Sequence, residues 1–577
     1  MSTPYRIESL MRLPTIYRYR VSPDGERVAF VRDTDGTKEL FVHDARTDSI
    51  EQISDGHLQQ TAPGPIMWAP NGDKLYFQEA PTRDTKRIST IDLDGRTDPV
   101  LGFEHAATVH LEDVSPDSHH LLYHLRETGT EPLDRDLFLY NRETDQRTQL
   151  TAHDPPIRSR NLFSPDATRV SYQVFRPDNS DAYVLTLADR SVRQLDLGDG
   201  PSDSGIVDWH PDGDRVLVTD DATGVTRPGV YDLRDDSVRW YGRNEHSVFP
   251  WAFRPDGTGF LAGHYREVTT VPALYTLGGE SKELPLQAGV AGYPTWVRPY
   301  PEIFPDARTA VFVYATEAQP PALVACDLVS GKVKQLVEPA YRKLSRESFV
   351  EADYITYDSI DGLEIGALLY RAPTNPSPAI VHIHGGPRAR AERNFEPHGK
   401  YAQFFVNCGY TVLQPNFRGS TGRGRDFRMR IEGDTGGGDA ADVAEGARWL
   451  RDREWIDDRR IGVFGQSYGA YGVFTQLTKH PDLWTAGIAW NGSPSGGAYD
   501  AFQHVDSFEG PLLMLAGEHD PTLEEMRLFR DALADAGYDD GIDYQLELLE
   551  GEGHHSRDLD HQIDRFRRIQ SFLKAHV

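Results

Sequence analysis

The chain has 577 residues, a formal net charge of −28 and a pI near 5.1, with 38% hydrophobic, 10% aromatic and 26% charged residues. That balance excludes a largely disordered chain, and the length points to two to four domains. The acidic field disfavours nucleic acid and anionic membrane as principal partners. Ten Lys stand against 51 Arg. An acidic, Lys-poor surface suits high salt, and a GC-rich genome produces the same bias. The N-terminus MSTPYRIESL lacks an apolar signal core, and no run of 18 apolar residues occurs. A soluble cytoplasmic protein is the expectation. Cys326 and Cys408 are too few for a disulfide framework and lack zinc spacing.

IESLMRL (7–13) reads as a short amphipathic helix. A repeat follows. Pro-Asp or Pro-Asn and a small residue precede a β-rich run seven times, at Pro23, Pro70, Pro116, Pro165, Pro211, Pro255 and Pro305. Pro presets φ for a turn, Asp caps it and Gly accepts positive φ. Each unit carries a further strand, such as ELFVHD (39–44) or AYVLTL (182–187), closed by charged turns. Four short strands in about 47 residues make one propeller blade, so seven units predict a seven-bladed β-propeller over residues 20–344.

From about 345 the pattern changes. The segments 379–385, 409–416, 460–465, 486–492, 511–517 and 544–550 read as strands. Helical stretches at 439–451, 468–479, 523–536 and 562–575 alternate with them. Alternating β and α elements predict a mostly parallel sheet flanked by helices over 345–577.

Loops at the carboxyl ends of such strands carry chemistry. Gly465-Gln466-Ser467-Tyr468-Gly469 joins a strand to a helix, the context a G-x-S-x-G nucleophile elbow requires. A serine needs a base, and the base an orienting carboxylate, in the chain order Ser, Asp or Glu, His. Glu518-His519-Asp520 and Gly551-Glu552-Gly553-His554-His555 follow the next strands. Asp520 is assigned as orienter and His554 as general base, with Glu518 and His555 as rivals. The oxyanion requires two N–H donors. These are assigned to Tyr468, at the helix N-terminus, and to Gly386 in the His384-Gly385-Gly386-Pro387 loop. His382 and His384 share a strand face but lack a third ligand of metal spacing, so no metal or cofactor is expected. Asp439 and Asp442 read as a capped, solvated helix face.

A seven-unit propeller ahead of HGGP (384–387), the run 415–424, GGGDAADV (436–443), GQSYGAYG (465–472), GEHDP (517–521) and GEGHH (551–555) resembles the prolyl oligopeptidase family of serine peptidases. Within it, the chain looks like the acylaminoacyl-peptidase branch. The resemblance implies short peptide substrates, a propeller that excludes folded proteins, and an N-terminal segment (1–19) packed on the hydrolase domain. Tyr499, Arg418 and Thr522 are the implied pocket residues. A buried loop role for Tyr499 and a structural pairing for Arg418 stay open. Relatives carry a long helical insertion where only Ser493 to Gly510 stands here. A dipeptidyl aminopeptidase, a carboxylesterase and a non-catalytic propeller binding protein are the alternatives. Homo-oligomer formation stays open.

Overall fold

The computed structural model describes residues 4–577 except 59–63, 82–84, 105, 128–135, 153–156, 158–160, 177–178, 199, 244, 293–300, 397–399 and 556–557. Residues 1–3 of the N-terminal segment lie outside the described residues.

The Pro-Asp turns are small hydrogen-bonded units. Ser22 Oγ donates to Asp24 Oδ1, which also accepts the Glu26 N–H, while Arg27 N–H donates back to Ser22 Oγ. The same bonds recur at Ser164 and Asp166. The fourth turn residue takes positive φ whether it is Gly25 (71°), Ser118 (65°) or Ala167 (57°). The hydroxyl and carboxylate bonds hold that conformation against the cost of about 1–2 kcal/mol for a residue with a Cβ.

Five units form separate four-stranded antiparallel sheets, each strand pairing with the next in sequence. The sixth and seventh depart from that expectation. Val290–Ala291 bridges them, parallel to Thr269–Thr276 and antiparallel to Thr309–Thr316, so both belong to one nine-stranded sheet. Apolar side chains alternate between the two faces of each sheet and fill the space between neighbours. Consecutive units share buried clusters, as Val31, Leu40 and Leu75 do between the first two. The first and seventh also share one, with Tyr19, Val28 and Phe30 against Phe312 and Leu323.

The C-terminal sheet has eight strands: β1 (Asp353–Asp358), β2 (Glu364–Tyr370), β3 (Ser377–Ile383), β4 (Thr411–Asn416), β5 (Ile456–Gln466), β6 (Ala486–Trp490), β7 (Leu512–Gly517) and β8 (Tyr544–Leu549). Their order is β1-β2-β4-β3-β5-β6-β7-β8, with β2 antiparallel to β1 and β4 and the remaining pairs parallel. Helices α1 (Ile7–Met11), α2 (Tyr401–Asn407), α3 (Arg425–Met429), α4 (Gly438–Arg451), α5 (Tyr468–Lys479), α6 (Leu523–Asp535) and α7 (Leu559–His576) accompany them. One face packs on α4, α5 and α6, the other on α1, α2 and α7. Along β3 the alternation is plain: Ala379, Val381 and Ile383 face the first set, Ile380 the second.

Helix α1 lies on α7, where Glu8 pairs with Arg567. Tyr5 exchanges two backbone hydrogen bonds with the Asn407 side chain at the end of α2. The N-terminal helix thus docks on the α/β domain. Loops beyond β3 and β4 reach the repeats. Arg390, 8% exposed, donates to the Glu267 and Thr269 carbonyls and stacks on Tyr265. From α3, Arg428 pairs with Asp203 and Asp221, and Arg425 with Asp221. Among the described residues no helix is long and apolar enough to cross a bilayer.

Candidate active site

Strand β5 turns into α5 at Ser467, which sits at φ 59° and ψ −122°. The flanking glycines are steric requirements of this turn. A Cβ on Gly465 would lie 2.1 Å from the Gly469 carbonyl oxygen, and one on Gly469 2.2 Å from that of Ile383. Ser467 N–H donates to the Trp490 carbonyl on β6 (3.0 Å), which fixes the elbow against the neighbouring strand.

Asp520 and His554 stand on the loops after β7 and β8. His554 Nδ1 is 2.6 Å from Asp520 Oδ2; the carboxylate is fully buried and the imidazole 35% exposed. Burial alone would raise the Asp520 pKa, but the hydrogen bonds from His554 and from the Thr522 N–H and hydroxyl outweigh it and hold the carboxyl below its ordinary value. The rivals are placed elsewhere. Glu518 accepts the Gly551 N–H, and His555 packs edge-on against His554. Among the described residues no hydrogen bond joins Ser467 Oγ to His554. The structure therefore brings two of the three groups into contact and sets the third on the adjacent elbow.

Two residues that sequence reasoning passed over hold this arrangement. Asn491, buried at the end of β6 with φ 48°, donates to the Gly553 and His554 carbonyls and accepts the Gly517 N–H. Gln466 donates to the His554 carbonyl and accepts from Tyr401. Asn491 forms no recognisable motif, and Gln466 fills an unspecified position of the G-x-S-x-G elbow. A polar residue directly after a fully apolar strand, as Asn491 follows AGIAW, is the one signal available.

The HGGP loop passes beside the nucleophile: a Cβ on Gly385 would lie 3.3 Å from the Gln466 carbonyl oxygen and 3.7 Å from Ser467 Cβ. Neither Gly386 N–H nor Tyr468 N–H donates a hydrogen bond within the described residues. His384 Nδ1 meets the Gly385 carbonyl and Nε2 the Ser420 hydroxyl; His382 is bonded to Gln414. Burial lowers these imidazoles to about 4 and about 3, holding both neutral.

The three pocket assignments fare differently. Arg418 is buried, its guanidinium taken up by Asp442 (2.7 and 2.9 Å) and Asp361 (3.0 and 3.1 Å), so it ties the end of β4 to α4. Tyr499 stacks on His504, and its hydroxyl reaches Thr478. Thr478 is eleven residues along α5 from Ser467, about 16 Å at 1.5 Å per residue, so that hydroxyl points away from the nucleophile. Thr522 braces Asp520 through its N–H and hydroxyl. The expectation of a solvated acidic face on α4 is also corrected. Asp439 and Asp442 are buried, Asp439 accepting from Tyr468 and Asp442 from Arg418 and Ser359. The short segment after β6 folds as a 3-10 turn, Ala501–Ser507, whose Ala501 and Val505 join the core beside α5.

A strand–serine–helix elbow with an Asp–His pair on the following strand ends defines an α/β-hydrolase type of site. Residues 398–495 match the prolyl oligopeptidase family. Dipeptidyl aminopeptidase BIII of Pseudoxanthomonas mexicana is 36% identical over 113 residues, which is 20% of this chain and 16% of that protein. The acylamino-acid-releasing enzyme of Rattus norvegicus is 30% identical over 134 residues, 22% of this chain and 18% of the relative. The matches thus span under a fifth of these relatives' own length. The puromycin-hydrolyzing peptidase structure from Mycobacterium tuberculosis superposes with a TM-score of 0.84 at 18% identity, covering 100% of this chain and 96% of that one. An acylaminoacyl peptidase solved with Z-Gly-Gly-Phe-chloromethyl ketone gives 0.75 at 18% identity, covering 99% and 97%. Over the part of its length matched in sequence, the chain is similar to the prolyl oligopeptidase family.

Proposed function

We propose that the chain is a serine peptidase that hydrolyses short peptides through Ser467, Asp520 and His554. Ser467 Oγ attacks the carbonyl carbon of the scissile bond, and its proton passes to His554 Nε2. Asp520 holds the Nδ1–H tautomer and stabilises the imidazolium. The oxyanion is taken by the N–H groups of Tyr468 and Gly386. The imidazolium protonates the leaving amine, and water then hydrolyses the acyl-enzyme.

The observation that carries this reading is the 2.6 Å contact of His554 with a fully buried Asp520, on two consecutive strand ends beside the Ser467 elbow. In the same reading residues 20–344 close as a seven-bladed propeller over a catalytic domain of 345–577, and the propeller limits substrate size. The buried cluster shared by the first and seventh units supports closure.

The test is a panel of an N-acetylated amino-acid anilide, a free-amine dipeptide anilide and a quenched oligopeptide, beside labelling by a serine-reactive phosphonate. Ser467→Ala is expected to lose turnover and label together while keeping its melting temperature. Peptidase activity retained in that variant overturns the assignment. The preferred substrate in the panel separates the acylaminoacyl, dipeptidyl and oligopeptidase modes.

A further inference from the structure

The two oxyanion donors sit on different elements, the loop after β3 and the first turn of α5. Their separation has to be held to a few tenths of an ångström for both to reach one oxygen. One aromatic side chain touches His384, two residues before the first donor, and Tyr468, the residue of the second. His384 lies flat on Phe417, with ring centroids 4.3 Å apart and planes 15° from parallel. Tyr468 stacks on the same Phe417 at 5.8 Å and 27°. Phe417 is fully buried at the end of β4, held by its own core contacts.

The ends of this stack are pinned. The Tyr468 hydroxyl donates to the buried Asp439 carboxylate. A carbonyl can only accept, so His384 Nδ1 carries the proton donated to Gly385 O (2.8 Å), and Nε2 accepts from Ser420 (2.9 Å). The Gly385 carbonyl and the Gly386 N–H belong to one trans peptide plane and point in opposite directions. Fixing the carbonyl on His384 therefore aims the Gly386 N–H. The ring that aims one donor rests on the ring that rests on the other donor's residue.

We propose that Phe417 is a positioning residue whose ring spaces the two oxyanion donors, by keeping His384 and Tyr468 at set distances on a shared stack. The proposal rests on the serine peptidase reading above. It concerns transition-state stabilisation and not substrate binding.

The test compares wild type, Phe417→Leu and His384→Gln, each normalised to active sites titrated with the phosphonate. The readouts are kcat, KM and the affinity of a peptide boronic acid matched to the best panel substrate. The boronate accepts Ser467 Oγ at boron, and one of its oxygens occupies the oxyanion position. Losing one oxyanion donor costs on the order of 100- to 1000-fold in kcat, so partial misplacement is expected to cost about 10- to 100-fold. Boronate affinity is expected to fall by a similar factor, with KM changed less than about threefold. Because both variants break one stack, their combination is expected to cost less than the product of the two. His384→Gln carries the test if Phe417→Leu does not fold. Unchanged kcat per titrated serine, or a loss confined to KM with boronate affinity intact, overturns the spacer. A wild type that neither turns over the panel nor binds the boronate fails the peptidase reading first, and the spacer with it.

Discussion

Arg418→Met separates a structural role from a binding role. Arg418 is 8% exposed and faces Asp442, which is fully buried. Removing one partner of a buried ion pair costs about 3–5 kcal/mol, because the other charge stays desolvated. Ser359 still donates to Asp442 Oδ1 (2.6 Å), which puts the cost near the lower end, about 3 kcal/mol. The second partner, Asp361, has a side chain 44% exposed and adds only about 0–1 kcal/mol. For a folding unit of this size 1 kcal/mol shifts the melting temperature by about 2–4 °C, so Arg418→Met is expected to melt about 6–12 °C lower. Thermal denaturation followed by far-UV circular dichroism measures this, and kinetics per titrated active site measure the rest. KM is expected to stay within about twofold. An unchanged melting temperature with a raised KM would refute the structural role and return Arg418 to the substrate.

Asn491→Ala leaves two carbonyls of the His554 loop and the Gly517 N–H without their partner and puts Ala at a φ of 48°. It is expected to cost about 2–4 kcal/mol in a urea melt and about 10- to 100-fold in kcat per titrated site; wild-type kcat would show that the loop is held without it. The Asp520 carboxyl has a folded pKa below its unfolded value, so its stabilisation is fully present above about pH 4 and is lost as pH falls through the folded pKa. The stability difference between wild type and Asp520→Asn is therefore expected to shrink below about pH 4. A difference that widens on acidification contradicts the assigned direction.

The elements the sequence missed each have a physical cause. Six consecutive residues of α2, Tyr401 to Val406, are buried, so the segment has no polar stripe and no helical period to read. Helix α3 has five residues, too short for periodicity to register. Strands β1 and β2 lie inside the domain expected at 345–577 but are absent from the segments read as strands, because their antiparallel pairing stands outside the alternating β and α pattern.

Local chemistry determined what the sequence could deliver alone. The Pro-Asp turns are closed by bonds within six residues, the alternation of apolar residues follows from strand and helix periods, and the elbow needs glycines at fixed offsets because two backbones meet there. These interactions are short-range in the chain, so they leave a mark in it. Tertiary structure decided which carboxylate meets His554, which protein groups take up Arg418, Tyr499 and Thr522, and that Asn491, Gln466 and Phe417 stand beside the site. Apart from Thr522, which bonds Asp520 two residues away, those partners lie 21 to 88 residues apart, and burial sets their pairing. A buried charge or amide takes whichever complementary group the packed sheet brings within reach, and that choice exists only after the chain has folded.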